Sequence, residues 1–89
     1  FNVVIGDGVS IGDDCTLMHN VTVQRGEGTR VGSGAVLGTG VVVLGGSDVG
    51  DHAIVGAASV VRGRVAPRKV VVGAPAREVR SVRPGEVRS

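Results

Sequence analysis

Two histidines, one cysteine and a run of arginines are the residues of this chain whose types could carry chemistry. Imidazole gains and loses a proton near neutral pH, so His19 and His52 are the side chains able to move one under ordinary conditions. His19 opens the run His19-Asn20-Val21-Thr22. His52 lies in Gly50-Asp51-His52-Ala53, at an outward place, and is read as a surface residue. Cys15 falls at a small inward place among apolar neighbours, which makes it a core thiol rather than a nucleophile. Asp13 and Asp14 are turn residues, with short side chains that tolerate a tight bend.

The cations are unevenly spread. Residues 1–61 carry Arg25 and Arg30 against six acids, a net of −4, while residues 62–89 carry eight cations against Glu78 and Glu86, a net of +6. A basic end points to an anionic partner. With one Phe and no Tyr or Trp there is little to stack on bases, so nucleic acid is not expected. A phosphorylated small molecule fits better.

These residues must be held by a scaffold, and the period of the sequence identifies it. Branched aliphatics recur every sixth residue at Val31, Leu37, Val43, Val49, Val55 and Val61, and the same phase runs upstream through Ile5, Ile11, Leu17 and Val23. Four places after the aliphatic stands a small or modest residue: Ala35, Val41, Ser47, Ala53, Ser59. Gly usually follows the aliphatic. A period of six fits neither a helix face nor strand alternation; it marks a hexapeptide β-helix. Three hexads make one triangular coil whose sides are short parallel strands. The aliphatic points inward, the small residue fills the corner, and Gly, Asp and Asn take the bends that need positive φ. The expected fold class is all-β, a parallel β-helix of about three coils (residues 5–22, 23–42 and 43–60) with a short C-terminal tail. Sequence period alone does not fix its hand.

Eight residues rather than six separate Val23 from Val31. The two extra residues must bulge outward as a loop, and insertions of this kind tend to fall on a solenoid's binding face. From Val61 the pattern decays. Pro67 removes a strand donor, Val70 to Val72 form a strand leading into a turn at Pro75, and Glu78 to Ser89 are a charged tail, helical or disordered, covering the open end of the prism. The expected division is residues 1–66 as the β-helix and 67–89 as C-terminal strand, turn and basic tail. So thin a prism leaves an apolar flank, so self-association is expected, and a three-sided coil suggests a homotrimer.

A single cysteine permits no internal disulfide and fits a reducing, cytoplasmic setting. No apolar run approaches the length of a membrane span. Phe1 already sits inside a repeat, so part of the protein is expected upstream.

The run from Val4 to Val23, the hexads over 31–61 and the closing Val72-Gly73-Ala74-Pro75-Ala76-Arg77 together resemble the hexapeptide acyltransferases. Within that group the chain is most similar to the catalytic half of serine acetyltransferases and related sugar or antibiotic O-acetyltransferases. The resemblance covers nearly all of residues 3–80. It implies a left-handed β-helix, a homotrimer, and acetyl-CoA bound in a groove between neighbouring prisms. By matching, the CoA contacts fall on Gly38, Thr39, Gly56 and Ala57, where small residues let a thin pantetheine arm lie against the backbone. Arg77, with Arg68 and Lys69, would suit the adenosine 3′-phosphate and pyrophosphate. The implied chemistry is acyl transfer to a small-molecule hydroxyl, of serine, a sugar or similar. A histidine takes the hydroxyl proton while donors stabilise the oxyanion. His19 matches a histidine that related O-acetyltransferases often carry before Asn-Val-Thr. Of the two active-site histidines in the serine acetyltransferase pattern, one would lie upstream of Phe1. The other belongs in the loop that Gly26 to Arg30 occupy here without a histidine.

Two further readings stand beside this one. A γ-class carbonic anhydrase shares the fold but needs three histidines around zinc; this chain has two, so no metal is expected. A trimerising prism without chemistry is the other.

Overall fold

Each hexad spends two residues on a strand and four on a corner. In the central strands the first side chain of each pair faces out and the second is buried. The structure, a computed structural model, describes residues 2–86. The first coil comprises β1 (Val4–Ile5), β2 (Ser10–Ile11) and β3 (Thr16–Leu17); the second β4 (Thr22–Val23), β5 (Arg30–Val31) and β6 (Val36–Leu37). The third comprises β7 (Val42–Val43), β8 (Asp48–Val49) and β9 (Ile54–Val55), and the fourth β10 (Val60–Val61), β11 (Arg64–Val65) and β12 (Lys69–Gly73). A last strand, β13 (Ala76–Ser81), turns back antiparallel to β12.

Stacked coils give three walls. Sheet A is β1-β4-β7-β10, sheet B is β2-β5-β8-β11, and sheet C is β3-β6-β9-β12-β13. The register brings the inward aliphatics into three columns: Ile5, Val23, Val43 and Val61; Ile11, Val31, Val49 and Val65; Leu17, Leu37, Val55 and Val71. Burying each such side chain contributes roughly 1.5–3 kcal/mol. The middle coils are dry throughout, whereas Ile5 at the outer end of sheet A is 45% exposed. The corner positions Ala35, Val41, Ser47, Ala53 and Ser59 are all buried, as their size requires. Where the corner residue is polar, its hydroxyl replaces a missing backbone partner. Ser59 Oγ accepts from the Gly73 amide (3.0 Å), Ser47 Oγ from Gly63 (3.1 Å) and Thr29 Oγ1 from Gly46 (2.6 Å).

Two expectations change. The prism has four coils, not about three. The rung spacing between sheets A and B is six residues in coils one and three, eight in coil two (Val23 to Val31) and four in coil four (Val61 to Val65), whereas the other two corners keep six throughout. A single shortened corner made the last coil look like decay. The segment after Glu78 is neither helix nor disorder up to Ser81, since β13 runs through it; residues 87–89 lie outside the described part. Sheet C also continues across residue 67, because β12 pairs in parallel with β9. The two-residue insertion does bulge outward, with Glu27 and Gly28 at an exposed turn closed by Thr29 N donating to Gly26 O (3.2 Å). Cys15 is half-buried against the core and donates to the Gly32 carbonyl (3.1 Å).

Candidate functional site

The corner between sheets C and A repeats three times without a change of length, so its residues stack in register, and β12 carries the same place into the fourth coil. Backbone bonds fix the columns: Met18 N donates to Leu37 O, Gly38 N to Val55 O and Gly56 N to Val71 O, at 2.9–3.0 Å. Met18, Gly38, Gly56 and Val72 thus occupy one place in successive coils. The next column is His19, Thr39 and Ala57, tied by Gly40 N donating to His19 O (2.9 Å) and Ala58 N to Thr39 O (2.8 Å). Behind it Asn20, Gly40 and Ala58 take left-handed φ of 59°, 77° and 60°. His19, Thr39 and Ala57 are exposed along the edge. Five of the candidate residues, His19, Gly38, Thr39, Gly56 and Ala57, therefore share one narrow strip. Arg77 joins them at its foot, opposite Val72 across the β12–β13 pair.

Arg68 and Lys69 do not. Arg68 turns the corner between sheets B and C, where its amide donates to Asp51 O (2.9 Å) at a φ of 58°. The Lys69 ammonium donates to Ser81 Oγ (2.9 Å) and lies 3.6 Å from Glu78 Oε2. The proposed cation set is thus split between the two sides of sheet C.

Smallness in the strip has a packing cause of its own. A Cβ on Gly38 would lie 2.8 Å from the Ala57 amide nitrogen, and one on Gly56 would lie 2.5 Å from Val72 Cγ1. Close stacking of coils already demands both glycines. Thr39 and Ala57, exposed beside them, are under no such demand, and their small size leaves the edge open.

His52 sits on the B–C corner, a different corner from His19 and two coils away. It is half-buried rather than a simple surface residue, at a φ of 58°. Its ring takes the space a side chain on Gly34 would need, with Nδ1 2.4 Å from that Cβ position. Asp14 turns the same corner at a φ of 57°. Among the described residues no group of three or more His, Cys, Asp or Glu is placed to hold a metal ion.

Charge is concentrated away from the strip. On sheet B, Arg30 donates to Asp48 Oδ1 (3.0 Å) and to Asp51 Oδ1 (2.9 Å), and the hydrogen bond to Asp48 above all raises the affinity of its guanidinium for the proton. Near the end of the described chain, Arg80 holds the Glu86 carboxylate through both terminal nitrogens, and Arg83 N donates to Glu86 Oε1 (2.9 Å). Chiefly through Arg80, these bonds pull Glu86 down to about 2.

The sequence reading missed Met18, Asn20 and Val72 as members of the strip. The signal was available: successive hexads aligned by corner put Met18 over Gly38, and Asn20 over Gly40.

The family model described as "Hexapeptide repeat of succinyl-transferase" matches residues 1–25 and 8–44. No curated protein matches the chain. Among solved structures, a serine acetyltransferase in complex with CoA is 34% identical over 86% of this chain and 33% of its own, with a TM-score of 0.79. A galactoside acetyltransferase in complex with coenzyme A is 26% identical over 93% of this chain and 50% of its own, also with a TM-score of 0.79. Soybean serine acetyltransferase complexed with serine is 30% identical over 81% of this chain and 40% of its own, with a TM-score of 0.61. The chain thus spans a third to a half of the length of these structures.

Proposed function

This chain is a hexapeptide-repeat protein with the left-handed β-helix of the acetyltransferases, and on that footing we propose that it binds acetyl-CoA along the C–A corner and transfers the acetyl group to an acceptor hydroxyl. One observation carries this reading. Gly38, Thr39, Gly56 and Ala57, matched to CoA contacts, and His19, matched to acyl transfer, share one strip with Arg77 at its foot, which supports this reading although Arg68 and Lys69 lie off it. Coils are about 4.8 Å apart, so the strip from the His19 coil to the Val72 coil runs about 14 Å, a length an extended pantetheine arm can cover. The arm would lie against Thr39 and Ala57, with the nucleotide phosphates towards Arg77 and the acyl end towards His19. Arg68 and Lys69, on the far side of sheet C, would serve only a nucleotide lying across the foot of that wall.

CoA supplies an acyl group already activated as a thioester. His19, exposed at the top of the strip, would accept the proton of the acceptor hydroxyl as its oxygen bonds to the acyl carbon. As the carbon–sulfur bond breaks, the same imidazolium would return a proton to the leaving thiolate. The acceptor class is a small hydroxyl compound such as serine or a sugar. The loop from Gly26 to Arg30 has no histidine to offer, so the proton transfer falls on His19 within this chain.

The chain would act as a homotrimer in the cytoplasm. Sheets A and C turn Val4, Thr22, Val42, Val60 and Thr16, Val36, Ile54 outward, whereas sheet B turns out Ser10, Arg30, Asp48 and Arg64. Two apolar flanks meeting at the C–A corner would place the donor strip beside a neighbouring copy.

The test is binding. CoA at a hundred times its Kd should stabilise the folded chain by about 2.7 kcal/mol, read as a rise in Tm, and Ala57→Trp should remove that rise while leaving the unliganded Tm and the assembly unchanged. No rise with CoA would return the chain to a trimerising module without chemistry. His19→Ala should lower turnover about 100-fold or more without weakening CoA binding.

A further inference from the structure

We infer that Met18 sets the length of acyl group the site accepts, an inference that depends on the donor reading above. Met18, Gly38, Gly56 and Val72 fill the same place in four successive coils. In the two middle coils that place carries no side chain, so the wall beside Thr39 and Ala57 is bare backbone. In the first coil it carries an unbranched apolar chain, 47% exposed and adjacent to His19. At this place in the coil the side-chain direction runs towards the following coil: a Cβ on Gly38 meets Ala57, and one on Gly56 meets Val72. That space is closed to a side chain by the next coil, so Met18, 47% exposed, projects from the edge of the first coil beside His19.

The consequence is a trough that is open in the middle and stopped at its upper end. An acyl chain attached to sulfur beside His19 would meet the Met18 thioether side chain after a few carbons. A short acyl group fits in front of it; a longer one has to displace it. Met is flexible and makes apolar contact readily, so it suits a soft stop better than a rigid branched residue would. Met18 makes no part of the buried core, whose columns are filled by Leu17 and Val21 on either side.

The experiment measures affinity by calorimetry for CoA, acetyl-CoA, butyryl-CoA and hexanoyl-CoA, on the unaltered chain and on Met18→Ala and Met18→Leu. Met18→Ala should leave CoA affinity within about twofold and raise the hexanoyl-to-acetyl affinity ratio about tenfold or more, since each methylene rejected or admitted by an apolar wall is worth a factor of that order. Met18→Leu should keep the original ratio, which separates loss of bulk from loss of sulfur. An unchanged ratio in Met18→Ala, with CoA still bound, overturns the inference and leaves the donor site standing. Failure of CoA itself to bind either protein overturns the donor reading, and the role of Met18 with it. Because Met18 lies outside the core, circular dichroism should show the same Tm for all three proteins.

Discussion

The C–A and A–B corners are built from the same hexads and behave differently. The C–A corner keeps six residues between rungs in each of its three repeats, with columns fixed by five backbone bonds between 2.8 and 3.0 Å down its length. The A–B corner runs six, eight, six and four residues. It closes by improvisation: Thr29 and Ser47 hydroxyls stand in for backbone partners, and Gly45 N donates to the Gln24 side chain (3.2 Å). Both corners seal the same core, so packing does not demand the regularity of the first. The B–C corner is equally regular, so what sets the C–A corner apart is the exposed small residues Thr39 and Ala57 beside glycine in successive coils, which an axial ligand would meet as equivalent atoms. The A–B corner carries the variable length and the exposed Glu27–Gly28 tip, which is where acceptor selectivity would reside.

The largest expected effect tests what the corners share. Leu37 is fully buried at the centre of the prism. Leu37→Asp places a charge among apolar rungs with no partner, and should cost about 4 kcal/mol or more. Loss of the cooperative melt by circular dichroism is the expected result. A folded variant would mean that the rungs do not form one dry column.

The next effect breaks the comparison directly. Inserting Gly-Ser between Thr39 and Gly40 puts the lower strip out of register with His19. CoA affinity should fall about 100-fold, or roughly 2.7 kcal/mol, although the coil can bulge there as it does at Glu27. Deleting Glu27 and Gly28, which returns the A–B corner to six residues, should leave CoA affinity within about twofold. Equal losses from the two changes would remove the functional distinction between the corners.

The fold was legible because its signal is redundant. Ten aliphatics, six apart except for the eight-residue step from Val23 to Val31 and mostly followed by Gly, leave one architecture that buries them. The fourth coil was not legible, because the four-residue spacing from Val61 to Val65 broke the phase at the point where Pro67 also suggested an end. Strand β13 was hidden for another reason: Arg77, Glu78, Arg80 and Ser81 lie at the outer edge of a sheet, opposite Val72, Val71, Val70 and Lys69, and stay largely exposed, so they show no apolar period. Of the candidate site, Gly38, Thr39, Gly56 and Ala57 could be placed from the hexads alone, since corner position follows from phase. Arg68 and Arg77 could not be told apart, because their positions on opposite sides of sheet C depend on the hairpin at Pro75. His52 was misjudged as a plain surface residue, because its burial depends on Gly34 leaving room one coil away.

A smaller effect sharpens the lower boundary of the strip. Ser59 is buried, and its hydroxyl accepts from the Gly73 amide at the start of the turn into β13. Ser59→Ala leaves that amide without its partner and should cost about 1–2 kcal/mol, measured by urea denaturation. If Arg77 depends on this turn for its position, CoA affinity should fall in the same variant while binding of free pantetheine does not.

The smallest effect concerns acid stability at the end of the described chain. The Glu86 carboxylate, held by Arg80 and the Arg83 amide, titrates at about 2 in the folded chain, against about 4.3 for an unperturbed Glu. A lowered folded value means that the unfolded chain takes up the proton first. The contribution is therefore fully present above about pH 4.3 and is lost progressively as the pH falls from there to about 2. Glu86→Gln should flatten the dependence of Tm on pH across that window and leave Tm at pH 7 lower by a degree or two, about what an exposed pair contributes. The Arg80–Glu86 pair lies on the B–C side of the β13 hairpin, away from the strip, so CoA affinity at pH 7 should be the same in Glu86→Gln as in the unaltered chain. A fall in affinity would show that the clasp positions Arg77 through β13, and the separation between the foot of the strip and the charged end of the chain would have to be redrawn.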